Sequence, residues 1–295
     1  MSTRAEARAA VALADLVELT KPRLTSMVLL TTAGGMLLAP GSMSTPSFLL
    51  ALLGTALTVS AAHSLNMLLE RDLDGLMERT KRRPLPAGRM APIVAQGFGI
   101  SLAALGLPVL ALGVSPLVAL LAAAALVSYV GVYTPLKRRS PAALFVGTFP
   151  GAIPPVMGWV AATGTIDPPA VTLFGILVLW QIPHFIGLSL LLLDDYRRAG
   201  VRVFPLVHGT KAAQWIAVAT SVALLPVSWL LVTLGVNGLV YGVGAVASGL
   251  FLLGLAASPT GGPEGETAWG RKLFFGSLIH LTVLFFSLVL DVALR

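Results

Sequence analysis

Hydrophobic positions along this chain run in long blocks separated by short polar connections. A helix that crosses a bilayer needs roughly 20 apolar residues, with about 17–25 tolerated. Nine blocks qualify, over 24–40, 46–69, 91–112, 115–134, 141–162, 169–192, 212–235, 238–257 and 273–293. Gly and Pro interrupt several of them, the fifth at Gly151, Pro154, Pro155 and Gly158. Membrane helices tolerate such breaks because their neighbours re-satisfy the freed backbone groups. The pattern predicts an all-α integral membrane protein with nine transmembrane helices, forming one polytopic domain over 1–295. No polar stretch is long enough for a separate soluble domain. Those near 70–90, 135–140, 194–211 and 258–272 are expected to form a polar cap on one side.

The connections alternate sharply in charge. One set holds Arg4, Arg8, Lys21 and Arg23, then the cations of 71–89, Lys137 to Arg139, Arg197 to Lys211, and Arg271 and Lys272. Nineteen of the 20 basic residues belong to it, and only Arg295 lies on the other side. Cytoplasmic loops carry the Lys/Arg excess, so the N-terminus is expected in the cytoplasm and the C-terminus outside. Composition agrees: the 295 residues are 56% hydrophobic and 11% charged, against about 25% charged in soluble domains. An ordinary water-soluble protein is thereby excluded. The absence of cysteine excludes disulfides, thiolate metal sites and iron–sulfur clusters. The net charge of +7 reads as topology, and with no nucleic-acid motif beside it no nucleic-acid partner is expected. Met1–Thr20 is polar, without a cleavage pattern, and its Glu6, Asp15 and Glu18 do not suit a transit peptide. The inner, or plasma, membrane of a cell is the expected address.

Candidate chemistry gathers at the end of the second block, where Asn66, Glu70 and Asp74 recur every four residues. Four residues turn a helix by about 400°, so the three share one stripe and Asp72 points away from it. An amide and two carboxylates are hard oxygen ligands suited to Mg²⁺, which bridges readily to substrate phosphates. A second acidic pair, Asp194 and Asp195, with Tyr196 beside it, ends the sixth block on the same side. Two acidic helix ends facing each other suit metal ions around a diphosphate. The cations of Arg79 to Arg83 and of Lys137 to Arg139 would neutralise the remaining charge. A solvated helix end whose acids merely balance Arg71 and Arg79 is the plainer alternative, and some of these cations serve topology or membrane lipid headgroups.

Together these segments resemble a known family. Asn66-x-x-x-Glu70-x-x-x-Asp74, followed by Arg79-Thr80-x-x-Arg83-Pro84-Leu85, is similar to the first motif of the UbiA-type intramembrane prenyltransferases. Tyr133-Thr134-x-x-Lys137-Arg138, Trp180-Gln181-x-Pro183-His184-Phe185 and Asp195-Tyr196-x-x-Ala199-Gly200 look like its haem O synthase branch. The likeness runs from about Lys21 through Gly209. It implies a nine-helix bundle with a lateral opening to lipid and a polar cytoplasmic cap. It also implies a reaction in which farnesyl diphosphate, haem B and water give haem O and diphosphate. Two departures stand out. Glu70 occupies a position where the family often has Asp, and the second motif offers the adjacent pair Asp194–Asp195 rather than carboxylates four apart.

On that reading Asn66, Glu70, Asp74 and Asp195 hold Mg²⁺, with Asp194 as the competing ligand. Arg79, Arg83, Lys137 and Arg138 face the diphosphate or the haem propionates, and Tyr133 flanks the developing cation. His63, three residues before Asn66, and His184 are the candidates to face the acceptor, because histidine in a membrane helix is costly and often functional. His208 reads as a loop residue and His280 as packing within the ninth helix. Haem A synthase or a terminal oxidase is the protein partner the resemblance suggests. Three rivals remain: a related prenyltransferase acting on an aromatic or quinone-precursor acceptor, a membrane transporter, and a non-catalytic haem chaperone. The acids cluster at one membrane face, and the apolar spans carry none at mid-helix, which disfavours ion-coupled transport.

Overall fold

A computed structural model of the chain describes residues 13–41 and 43–294; Arg4, Glu6, Arg8 and Arg295 of the charge pattern lie outside them. The described residues are helical and contain no strand. A helical stretch over 13–19 leads into α1 (Pro22–Leu38), α2 (Thr45–Asp74), α3 (Pro92–Gly113) and α4 (Pro116–Val127). The chain then widens into a π-helical turn, Ser128–Tyr133, before α5 (Thr134–Arg139), α6 (Ala143–Val146), α7 (Thr148–Thr163) and α8 (Pro168–Leu191). It ends with α9 (Leu193–Arg198), α10 (Phe204–Thr233), α11 (Leu239–Ala257) and α12 (Gly262–Ala293).

Local signals explain where these helices begin. Proline sits in the first turn of α1, α2, α3, α4, α8 and α10, where its missing N–H costs nothing. Ser44, Ser115 and Asp167 cap α2, α4 and α8 by accepting from the backbone N–H of Ser47, Val118 and Ala170.

Among the described residues, eight helical stretches are long and apolar enough to cross a membrane, against the nine expected. The ninth, α1, has 17 residues. At 1.5 Å per residue it spans roughly 25 Å, the short limit of a crossing. Two connections expected as loops are partly helical. Residues 262–272 continue α12, docked by Trp269, whose indole N–H donates to the Leu255 carbonyl at 3.1 Å. Residues 194–211 hold α9 and the first turns of α10, which breaks at Gly209, where φ is 79°.

Small residues bring helices into backbone contact. A Cβ placed on Gly158 of α7 would overlap the Thr32 carbonyl oxygen of α1, and one on Gly35 would overlap the Pro155 carbonyl oxygen. Gly158→Ala should therefore cost about 1–3 kcal/mol by overpacking, read as a lower thermal midpoint in detergent. Gly97→Ala, with open space at the position of its Cβ inside α3, should leave the midpoint unchanged or slightly raised, because alanine favours the helix.

Candidate active site

The end of α2, the loop over 75–91, α5 and α9 meet at one end of the bundle. Helix α2 stays regular through Asp74, so its stripe is presented inward as the spacing predicted. Asn66, Glu70 and Asp74 are 2%, 3% and 1% exposed. Asp72 faces outward beside Arg71, its side chain 76% exposed.

Each stripe residue is met by a cation from a different element. Lys21, immediately before α1, donates from Nζ to Asn66 Oδ1 at 2.9 Å. Lys137 of α5 lies 3.1 Å from Glu70 Oε1 and donates to Oε2 at 3.3 Å. Arg83 of the loop donates from Nη1 to Asp74 Oδ2 at 2.7 Å. Asn66 also donates from Nδ2 to Thr134 Oγ1 at 3.0 Å, and that hydroxyl donates to the Tyr129 carbonyl inside the π-helical turn at 2.8 Å.

The Arg79–Leu85 segment has a local cause for its shape. Thr80, fully buried, donates to the Asp74 carbonyl at 2.8 Å, which folds the loop back so that Arg83 returns over Asp74. Farther along, Arg89 grips Asp15 at 2.8 Å and Glu18 at 3.2 Å, strapping the 13–19 helix onto the loop. The strap carries Lys21 into the site with φ of 46°, a left-handed conformation that non-glycine residues seldom adopt. Burial, with the Arg83 guanidinium nearby, pushes the Lys21 ammonium down to about 7.

The two acids of the second cluster part company. Asp194 is exposed and pairs with Arg197 at 3.0 Å. Asp195 is buried, accepts from the Glu78 backbone N–H at 3.1 Å, and meets Arg198. Partial burial works to raise its carboxyl, but the Glu78 N–H, the Arg198 guanidinium and the Arg79 N–H hold it below the usual range. The α9 tip thus converges on the loop that follows α2. Asp195 lies against the loop at Glu78, and no group of three or more Asp, Glu or His side chains close enough for one metal ion occurs among the described residues. Arg79 and Arg138 are exposed. Tyr196 is buried with Leu73 and Met77.

Beneath the charged layer lies a mainly apolar cavity of about 230 Å³, lined in part by His63, Tyr129, Tyr133, Met157, Gln181 and Phe185. The rings of Tyr129 and Tyr133 stack 5.4 Å apart. His63 Nδ1 lies 3.2 Å from the Thr20 carbonyl, which calls for the proton on Nδ1 and leaves Nε2 the free acceptor. His184 does not line the cavity. It stacks between Trp180 and Phe274, with Nδ1 2.9 Å from Ser277 Oγ. Sequence reasoning assigned Lys21 to topology alone, gave Thr134 and Gln181 no role beyond the motifs that contain them, and passed over Tyr129; the Lys21-Pro22 step into an apolar run was the available signal.

The donor set suits a divalent metal: one amide and two carboxylates on one stripe, all buried, with the Lys137 ammonium 3.1 Å from Glu70 Oε1.

Residues 28–279 match the model of the UbiA prenyltransferase family. The chain is 51% identical to the protoheme IX farnesyltransferase of Anaeromyxobacter dehalogenans (strain 2CP-C), over 95% of this chain and 94% of that one. It shares a fold, at 18% identity and a TM-score of 0.80, with a digeranylgeranylglyceryl phosphate synthase, over 95% of this chain and 98% of the other. A UbiA homologue of Archaeoglobus fulgidus bound to DMAPP and Mg²⁺ has the same fold at a TM-score of 0.71 and 17% identity, covering 92% of this chain and all of its own.

Proposed function

The chain belongs to the UbiA prenyltransferase family, and from that premise we infer that it transfers the farnesyl group of farnesyl diphosphate to a vinyl group of haem B, yielding haem O and diphosphate. It is a multi-pass membrane enzyme. The observation that carries the reading is the buried stripe of oxygen donors, ringed by three cations, directly above an apolar cavity. The nineteen basic residues on one side of the topology support placing that pocket at the cytoplasmic face of the inner membrane, N-terminus inside.

Lys21, Arg83 and Lys137 bind the diphosphate, whose oxygens accept charge-assisted hydrogen bonds from them. Asn66, Glu70 and Asp74 would hold Mg²⁺, and Asp195 keeps the loop closed over them. Bound there, the metal would offset the charge that grows on the departing diphosphate. The farnesyl C1–O bond breaks, and C1 bonds to the terminal carbon of the haem vinyl group. Water then adds its hydroxyl to the adjacent carbon and releases a proton. Tyr129 and Tyr133 line the cavity in which the allylic cation forms, where an aromatic ring stabilises positive charge, and the apolar wall keeps stray water from it. His63 and Gln181 are the polar side chains suited to hold the water that adds last. The cavity volume is below the roughly 300–1,000 Å³ of small-molecule sites, so it encloses only part of the combined porphyrin and farnesyl chain.

The test is mass analysis of products from membranes with and without the chain, given farnesyl diphosphate and either haem B or 4-hydroxybenzoate. Haem O should form only with the chain. A prenylated hydroxybenzoate in its place would move the enzyme to another acceptor class.

A further inference from the structure

Lys21 presents the puzzle. Its ammonium is partly buried, yet its described hydrogen-bond partner is the neutral Asn66 amide. An amide compensates a buried charge poorly, so the ammonium leans on the nearby Glu70 and Asp74 carboxylates, and the residue stands at φ of 46°. The same pattern repeats along the stripe, where Lys137 sits on Glu70 and Arg83 on Asp74. Three cations from three elements thus occupy the three oxygen donors proposed for metal.

We infer that Lys21, Lys137 and Arg83 are place-holders on the metal ligands, drawn off by the diphosphate, so that metal and diphosphate bind only as a coupled pair. The inference rests on the metal-site reading of Asn66, Glu70 and Asp74 given above. Lys137 and Arg83 already balance the two carboxylates, so any charge on Lys21 is positive charge in surplus. A lone divalent ion would meet that surplus in a buried setting, where charge repulsion is weakly screened, and would have to break two buried ion pairs. A prenyl diphosphate trianion removes both obstacles. It gives each displaced cation a better acceptor, and together with one divalent ion it brings the pocket to neutrality. The long stems of Lys21 and Lys137 allow the swing; Arg83, with its planar fork, suits two phosphate oxygens at once.

The experiment uses the purified full-length chain in detergent, with Mn²⁺ as the metal probe followed by EPR. Farnesyl thiolodiphosphate, whose carbon–sulfur bond resists turnover, is the diphosphate probe, and its own chelation is measured in protein-free buffer. The analogue should tighten Mn²⁺ binding by on the order of tenfold to a hundredfold, and Mn²⁺ should tighten analogue binding by the same factor. Lys21→Met should bind Mn²⁺ alone severalfold more tightly than the parent, bind the analogue more weakly, and lose part of the coupling. Lys137→Gln gives an independent reading should the first variant fold poorly, with the same signs expected. Equal Mn²⁺ affinity with and without analogue in the parent, or no gain for Mn²⁺ alone in either variant, would overturn the place-holder role. Asp74→Asn separates this from the underlying reading. If it binds Mn²⁺ as tightly as the parent, the metal-site assignment itself fails, whatever the coupling.

Discussion

Asp74→Asn should cut haem O formation by on the order of 10²–10³-fold while the protein remains folded and inserted. Asparagine keeps the size and one acceptor oxygen of aspartate, so the Arg83 hydrogen bond at 2.7 Å and the Thr80 bond to the main-chain carbonyl survive. What is lost is a buried negative charge at the end of the stripe, the feature that makes the donor set attractive to a dication. The effect is expected to be large because Asp74 is 1% exposed and water cannot stand in for the missing charge. Asp72→Asn is the matched control: the same chemical change two residues away, on a side chain 76% exposed, should leave activity near that of the parent. Haem extracted from cells expressing each variant, resolved by mass, gives the readout. Turnover by Asp74→Asn within a few-fold of the parent would remove Asp74 from the site.

Much of this arrangement was legible in the sequence because it depends on spacing within one regular helix. Apolar blocks marked the spans, and the four-residue period of Asn66, Glu70 and Asp74 fixed a common face that α2 then buried. Prediction weakened wherever a helix changed register. Asp194 and Asp195 could not be told apart because α8 ends at Leu191 and α9 starts anew at Leu193. No angle carries across that break, and in the structure one acid faces solvent while its neighbour caps the loop at Glu78. The π-helical turn at Ser128–Tyr133 adds a residue that hydropathy does not register, yet its Tyr129 carbonyl anchors the hydroxyl that receives Asn66. Lys21 and His184 failed for a different reason. Their surroundings come from distant parts of the chain: Lys21 is delivered by the Arg89–Asp15 strap, and His184 is claimed by Ser277 and Phe274 of α12. A local motif says which helix a side chain stands on, but the neighbour it meets is set by packing.

Arg83→Met should then be among the most destabilising single changes in the molecule, costing on the order of 3–5 kcal/mol. Its partner cannot escape. The Asp74 side chain is 1% exposed and hangs from a regular turn of α2, so removal of the guanidinium strands a carboxylate away from water. The reverse change is milder, because Arg83 is 17% exposed and its long side chain can carry its charge outward. Asp74→Asn should therefore cost little stability although it removes activity. The double variant Arg83→Met with Asp74→Asn should regain most of the stability lost by Arg83→Met, since two neutral groups replace one orphaned charge. Thermal unfolding of the four proteins in detergent closes this cycle, and the coupling between the two sites is the quantity of interest. A single Arg83→Met variant as stable as the parent, with no recovery on adding Asp74→Asn, would mean that Asp74 reaches water or another cation. The pocket would then not be the dry enclosure of paired charges on which the diphosphate chemistry depends.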